Sequence, residues 1–93
     1  MTFIITGKNI NVSTGLKSHI EEKIGKLERY FTPNTEIHVT LSVVKDTQKI
    51  EVTIPVKGSI IRAEEANEDL YAAIDMVEDA IEKQLKKYKK EKQ

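Results

Sequence analysis

Two stretches in the middle of the chain alternate apolar and polar residues without a break, and they restrict the possible folds more than any other feature. From Glu36 to Lys45, Ile37, Val39, Leu41 and Val43 fall on one parity, with His38, Thr40 and Ser42 on the other. From Lys49 to Lys57, Ile50, Val52, Ile54 and Val56 repeat the pattern. A period of two puts each apolar set on one face of a strand. Only Asp46-Thr47-Gln48 separates the runs, which predicts an antiparallel hairpin with one face turned to a core. Pro55 has no amide proton, so it must sit where no ladder bond is needed. Gly58-Ser59 predicts a second turn, and Ile60 to Ala66 a weaker strand that ends in carboxylates. Thr2 to Thr6 (TFIIT), punctuated by Gly7, predicts a first strand.

Elsewhere the period changes. Leu16, Ile20, Ile24, Leu27 and Phe31 recur at steps of three and four, which predicts a helix that starts at an N-cap Ser13 and is stopped by Thr32-Pro33-Asn34. Glu22 stands four residues before Lys26, a favourable helical pair. Gly25 inside this helix costs about 1 kcal/mol relative to alanine. Leu70, Ile74, Val77, Ile81, Leu85 and Tyr88 form a second stripe. Asn67 is its expected N-cap, and Glu68 and Asp69 its expected first turn, where the helix dipole favours negative charge. This helix should run to about Lys90, long enough for its end to project beyond a short sheet.

The expected order is β-α-β-β-β-α. A right-handed β-α-β crossover makes two strands parallel, and the short turns make the rest an antiparallel meander. The result is an α+β fold, a four-stranded mixed sheet with two helices packed on one face. With 93 residues, the chain is read as a single domain, 1–93. Hydrophobic residues make up 39% and charged residues 32%, a balance of globular rather than disordered chains. No cysteine is present, which excludes disulfides, zinc knuckles and thiol nucleophiles. Met1 to Asn9 has no signal-peptide pattern, and no apolar run approaches the roughly 20 residues of a membrane span. The expected location is cytoplasmic, with no membrane partner.

Fifteen basic and fifteen acidic side chains give a formal net charge of zero, but the charges are sorted. Between Glu64 and Glu82 the chain carries Glu64, Glu65, Glu68, Asp69, Asp75, Glu78, Asp79 and Glu82, and no lysine or arginine. From Lys83 onward, Lys83, Lys86, Lys87, Lys89, Lys90 and Lys92 face Glu91 alone. Lys83, Lys86, Lys87 and Lys90 have the spacing of one helical stripe, opposite the apolar one. Lys23, Lys26 and Arg29 step by three along the first predicted helix. If the helices lie side by side, both sets border one positive groove, suited to phosphates whose capture releases counterions. An ordinary solvated face, with lysines favoured near a helix C-terminus, accounts for the same pattern. Both readings stand at this point.

The remaining candidates point to structural roles. Phe31 and Tyr88 fall on apolar stripes and belong to the core; Tyr30 and Tyr71 lie off them, open to base stacking or to surface roles. The carboxylates Glu64, Glu65, Glu68 and Asp69 lack any sign of a pocket, and helix starts attract carboxylates for dipole reasons alone. His19 and His38 have no ligand spacing. No phosphate loop, nucleophile elbow or catalytic triad appears. No enzyme, metal, cofactor or small-molecule substrate is expected.

Four segments carry a resemblance that spans nearly the whole chain: Ile20 to Phe31 (IEEKIGKLERYF), His38 to Ser42 (HVTLS), Lys49 to Pro55 (KIEVTIP), and Arg62 to Glu65 (RAEE) with Asp69 to Asp75 (DLYAAID). In this order they resemble the ribosome hibernation promoting factor and protein Y family. The resemblance implies a fold related to double-stranded-RNA-binding domains. It implies binding to rRNA of the small ribosomal subunit, in the decoding channel, where the domain would block mRNA and tRNA sterically and support hibernation under stress. By position, the implied rRNA-binding residues are Lys23, Lys26, Arg29, Lys83, Lys86, Lys87 and Lys90. KIEVTIP and RAEE resemble the N-terminal domain of the long family form, so the chain is expected to be a fragment of a longer protein whose second domain pairs ribosomes. Two competing functions are kept: a generic double-stranded-RNA-binding module, and a protein-interaction domain that ignores RNA.

Overall fold

The computed structural model describes residues 1–91, with side chains through Tyr88. Its elements are β1 (Thr2–Lys8), α1 (Thr14–Gly25), a short 3-10 turn (Glu28–Tyr30), β2 (Glu36–Val44), β3 (Thr47–Val56), β4 (Ser59–Asn67) and α2 (Leu70–Glu91). The order is the expected β-α-β-β-β-α. The sheet order is β1-β2-β3-β4, with β1 parallel to β2 and the other pairs antiparallel.

Register follows the alternation. Val39 stands opposite Val52 and Leu41 opposite Ile50, so the two apolar runs share one face. Ile37, Val39, Leu41, Ile50, Val52 and Ile54 are buried there, in one cluster with Leu16, Ile20 and Ile24 of α1 and Ile74, Val77, Ile81 and Leu85 of α2. Both helices therefore cover the same side of the sheet. The other side is open and carries Ile4, His38, Thr53 and Arg62 in one row across the strands and Thr6, Thr40, Glu51 and Glu64 in the next. The β2–β3 connection is shorter than expected: Val44 pairs with Thr47, and Lys45, at a positive φ of 56°, turns the chain with Asp46. At the β3–β4 turn Gly58 takes a φ of 77°, which a residue without a Cβ adopts at little cost.

The helix boundaries correct the sequence expectation. Ser13 caps α1 as expected, accepting from the Leu16 amide at 3.1 Å. The helix ends at Gly25, however, not near Phe31. Leu27 reaches back to the Ile24 carbonyl, Tyr30 to Leu27 and Phe31 to Glu28, each at 3.0 Å. These are three-residue turns, and they still bury Leu27. Steps of three suit a 3-10 turn as well as a helix, so the apolar stripe continues where the helix does not. A Cβ at Gly25 would meet nothing within 4 Å; what this residue contributes is low helical propensity at the break. The expected Glu22–Lys26 ion pair is not formed among the described residues; Lys26 is the C-cap of the helix.

The start of α2 also shifts. Asp69, not Asn67, is the N-cap: its carboxylate accepts from the Tyr71 amide at 2.9 Å and its carbonyl from Ala73 at 3.0 Å. Asn67 acts one step earlier, its side chain accepting from the Asp69 amide at 2.9 Å. Glu68 and Asp69 thus precede the helix, and its first turn carries no acid. Nor does α2 project free of the sheet through residue 88. The Gln84 amide donates to the Arg62 carbonyl at 2.7 Å, and the Tyr88 hydroxyl donates to the Lys57 carbonyl in the β3–β4 turn.

Candidate RNA-binding surface

The cross-helix contacts fix how α1 and α2 lie. His19 meets both Tyr71, ring to ring at 5.0 Å, and Asp75, at 2.9 Å. Lys23 also reaches Asp75, at 3.8 Å, while Arg29, beyond the end of α1, reaches Glu82 at 3.5 Å. Rising numbers on one helix meet rising numbers on the other, so the helices run parallel; α1 ends beside the middle of α2, and Glu82 lies level with the turn that follows α1. Lys26 and Arg29 follow the end of α1, and Lys83, Lys86 and Lys87 lie on α2 from that level toward its C-terminus. Two sets of cations some fifty residues apart in sequence are brought to one pole. Lysines at a helix C-terminus are also favoured by the dipole.

The cations are not equivalent. Lys83 and Lys86 stand out from the helix, with side chains 77% and 63% exposed, and Lys87 and Lys26 are exposed. Lys23 is drawn into the seam between the helices and is only 25% exposed. It does not share a helical flank with Lys26 and Arg29, which lie on a cap and a 3-10 turn. The side chain of Lys90 lies outside the described residues. Most of the rest carry carboxylates: Lys83 pairs with Asp79 at 3.2 Å, and Lys86 and Arg29 share Glu82, at 3.9 and 3.5 Å. Arg29 is also stacked 4.8 Å over the Tyr30 ring, the geometry of a cation–π contact. Among the described residues, Lys26 and Lys87 form no ion pair.

Spacing alone misses parts of this surface. Asp79–Lys83 and Glu82–Lys86 are legible as i,i+4 pairs, but Arg29–Glu82 and Lys23–Asp75 cross between helices. Lys57 is missed too. Its carbonyl receives the Tyr88 hydroxyl, so this exposed turn lysine stands at the basic pole, and only the topology connects it to the lysines of α2.

The other sequence candidates are dispersed. Glu64 joins Glu51 around Lys49 on the open sheet face, at 3.3 and 3.2 Å. These two carboxylates raise the Lys49 pKa above its ordinary 10.5, chiefly through their hydrogen bonds. Asp69 caps α2. His38 stands beside Glu36 at 3.3 Å on the open face, remote from His19. Among the described residues, no three His, Cys, Asp or Glu side chains are grouped to hold a metal ion, and no helix is long and apolar enough to cross a membrane. Tyr71 lies in the helix seam against His19, and Tyr30 under Arg29.

Residues 3–93 match the family described as Sigma 54 modulation protein / S30EA ribosomal protein. The ribosome hibernation promotion factor of Staphylococcus aureus strain COL is 49% identical over 90 residues. That alignment covers 94% of this chain and 47% of the relative, so the chain spans about half the relative's length. Among solved structures, the N-terminal domain of Thermus thermophilus protein Y superposes with a TM-score of 0.86 at 30% identity, covering 95% of this chain and 99% of that one. A ribosomal subunit interface protein from Coxiella burnetii superposes at 0.85 and 26% identity, covering 96% and 98%.

Proposed function

This chain belongs to the Sigma 54 modulation protein / S30EA ribosomal protein family, and from that premise we propose that it is a ribosome-associated translation inhibitor. In this reading it binds rRNA of the small subunit in the decoding channel and blocks mRNA and tRNA by occupying their space, which supports ribosome hibernation in the cytoplasm. It catalyses nothing and needs no cofactor. The observation that carries the reading is the pole beyond the end of α1, where Lys26, Arg29, Lys83, Lys86 and Lys87 collect, with Lys23 in the helix seam behind them, on a chain of zero net charge. We assign phosphate contact to these residues and to Lys90. A basic surface confined to one end of a neutral protein gives a directed grip on a polyanion, where a diffuse positive charge would give a non-specific one.

The test is co-sedimentation with purified small ribosomal subunits at low and high salt, with duplex RNA of similar mass as the comparison. Salt-sensitive pelleting with subunits, lost when tRNA and mRNA are bound first, is the expected result. Equal affinity for the duplex would instead identify a generic double-stranded-RNA module, and pelleting indifferent to prebound tRNA would exclude the decoding channel. Ribosome pairing belongs, in this proposal, to a second domain of longer family members. Ribosomes carrying this chain alone should therefore sediment as monomers.

A further inference from the structure

We propose that Glu82 is a specificity-determining residue of the RNA-binding surface: it orients Arg29 and Lys86 as one cationic pair across the helix seam, and its charge repels RNA whose phosphates do not seat against that pair. The inference rests on the RNA-binding reading above.

Glu82 is 29% exposed, while the side chains of Arg29 and Lys86 are each 63% exposed. The carboxylate therefore lies beneath two cations that stand above it in solvent. Among the described residues, no other carboxylate ties α2 to the 3-10 turn that follows α1. Arg29 is held on further sides, by the face of Tyr30 at 4.8 Å and the Tyr30 hydroxyl at 3.3 Å. A guanidinium fixed in this way presents its remaining N–H groups in one direction.

Exposed ion pairs contribute little to stability, so folding alone is a weak reason for this arrangement. Its effect on binding is larger. A phosphate seated against the outer faces of Arg29 and Lys86 finds a guanidinium already held by Tyr30 and Glu82, with the Lys86 ammonium 3.9 Å from the same carboxylate, so less ordering remains to be done on binding. A polyanion passing loosely over the same region meets a net charge of about +1 from the three groups instead of +2, so its gain is reduced. Discrimination then comes from repelling the wrong ligand as well as attracting the right one.

The experiment measures the affinity of the intact chain for small ribosomal subunits and for duplex RNA at one salt concentration. Glu82→Gln keeps the shape and removes the charge; circular dichroism checks that the fold is retained. Duplex binding should tighten about threefold, the scale of one exposed ion pair, while subunit binding fails to tighten, so that the ratio of the two affinities falls. Glu82→Asp keeps the charge on a shorter arm: it should leave duplex binding at the wild-type level and weaken subunit binding. In an Arg29→Gln/Lys86→Gln background, Glu82→Gln should leave the ratio unchanged. An unaltered ratio in the single variant, or the same fall in the background lacking both cations, overturns the proposal. Failure of the wild-type chain to bind subunits at all would remove the RNA-binding reading itself.

Discussion

Replacing Lys26 and Lys87 by glutamine isolates the electrostatic contribution of this surface. Both side chains are exposed and, among the described residues, neither is in an ion pair. Among the described residues their removal leaves no carboxylate without its partner and disturbs no core contact, so a loss of binding reads the phosphate contacts. Each phosphate neutralised contributes roughly 0.7–0.9 to the slope of log affinity against log salt. Losing two contacts should make the slope shallower by about 1.4–1.8. At about 0.1 M monovalent salt this corresponds to binding roughly 25–60 times weaker, and near 1 M the variant and the wild type should converge. The assay is a titration of labelled small subunits at several salt concentrations, with thermal unfolding as a control for the fold. Weaker binding with an unchanged salt slope would mean that these lysines do not contact phosphates. Unchanged binding would remove both from the surface.

Three further predictions concern the scaffold that presents the cations. Ile74→Ala empties a fully buried position between α2 and the sheet and should cost about 2–5 kcal/mol in urea denaturation. Asp69→Ala removes the cap of α2 and should cost about 1 kcal/mol, whereas Asp69→Asn should retain most of the cap; equal losses for the two would return the N-cap to Asn67. Lys49 has its folded pKa raised by Glu51 and Glu64, so its contribution is complete below its unfolded value and is lost as pH rises through the folded one. Stability measured in urea from about pH 8 to about pH 11.5 should show that alkaline loss in the wild type, and Lys49→Met should lack the step.

The fold was legible in the sequence where side-chain period was decisive. The alternation of β2 and β3 set their faces and their pairing, because a one-residue slip would turn Val39 and Ile50 to solvent. The boundaries of the helices were less legible. Ile24, Leu27 and Phe31 keep an apolar stripe through both helical and 3-10 turns, so the break at Gly25 is invisible to periodicity. At α2, Asn67 and Asp69 both carry capping side chains, and only the amide geometry separates the Asx turn from the cap. Within the candidate surface, spacing brought out the lysines of α2, a single regular element. It misplaced Lys23, which the long-range partner Asp75 draws into the seam, and it could not reach Lys57, which is brought in by the Tyr88 tether.

The surface depends on handedness and on strand order as much as on charge. A right-handed crossover lays α1 across the sheet between two parallel strands. The two hairpins that follow return the chain so that α2 starts at the same end as α1. Parallel helices are the consequence, and with them the meeting of the basic segment after α1 with the start of the lysine-rich half of α2. The acid-rich first half of α2 lies by the same geometry alongside α1 rather than at the pole. Had the connection before α2 been long enough to reverse it, Lys83, Lys86 and Lys87 would stand beside the N-terminus of α1, far from Lys26 and Arg29. The same composition would then present two weak basic patches with acids between them. A net charge of zero therefore says little about whether a chain can grip a polyanion; what matters is which end of the fold each charge is carried to.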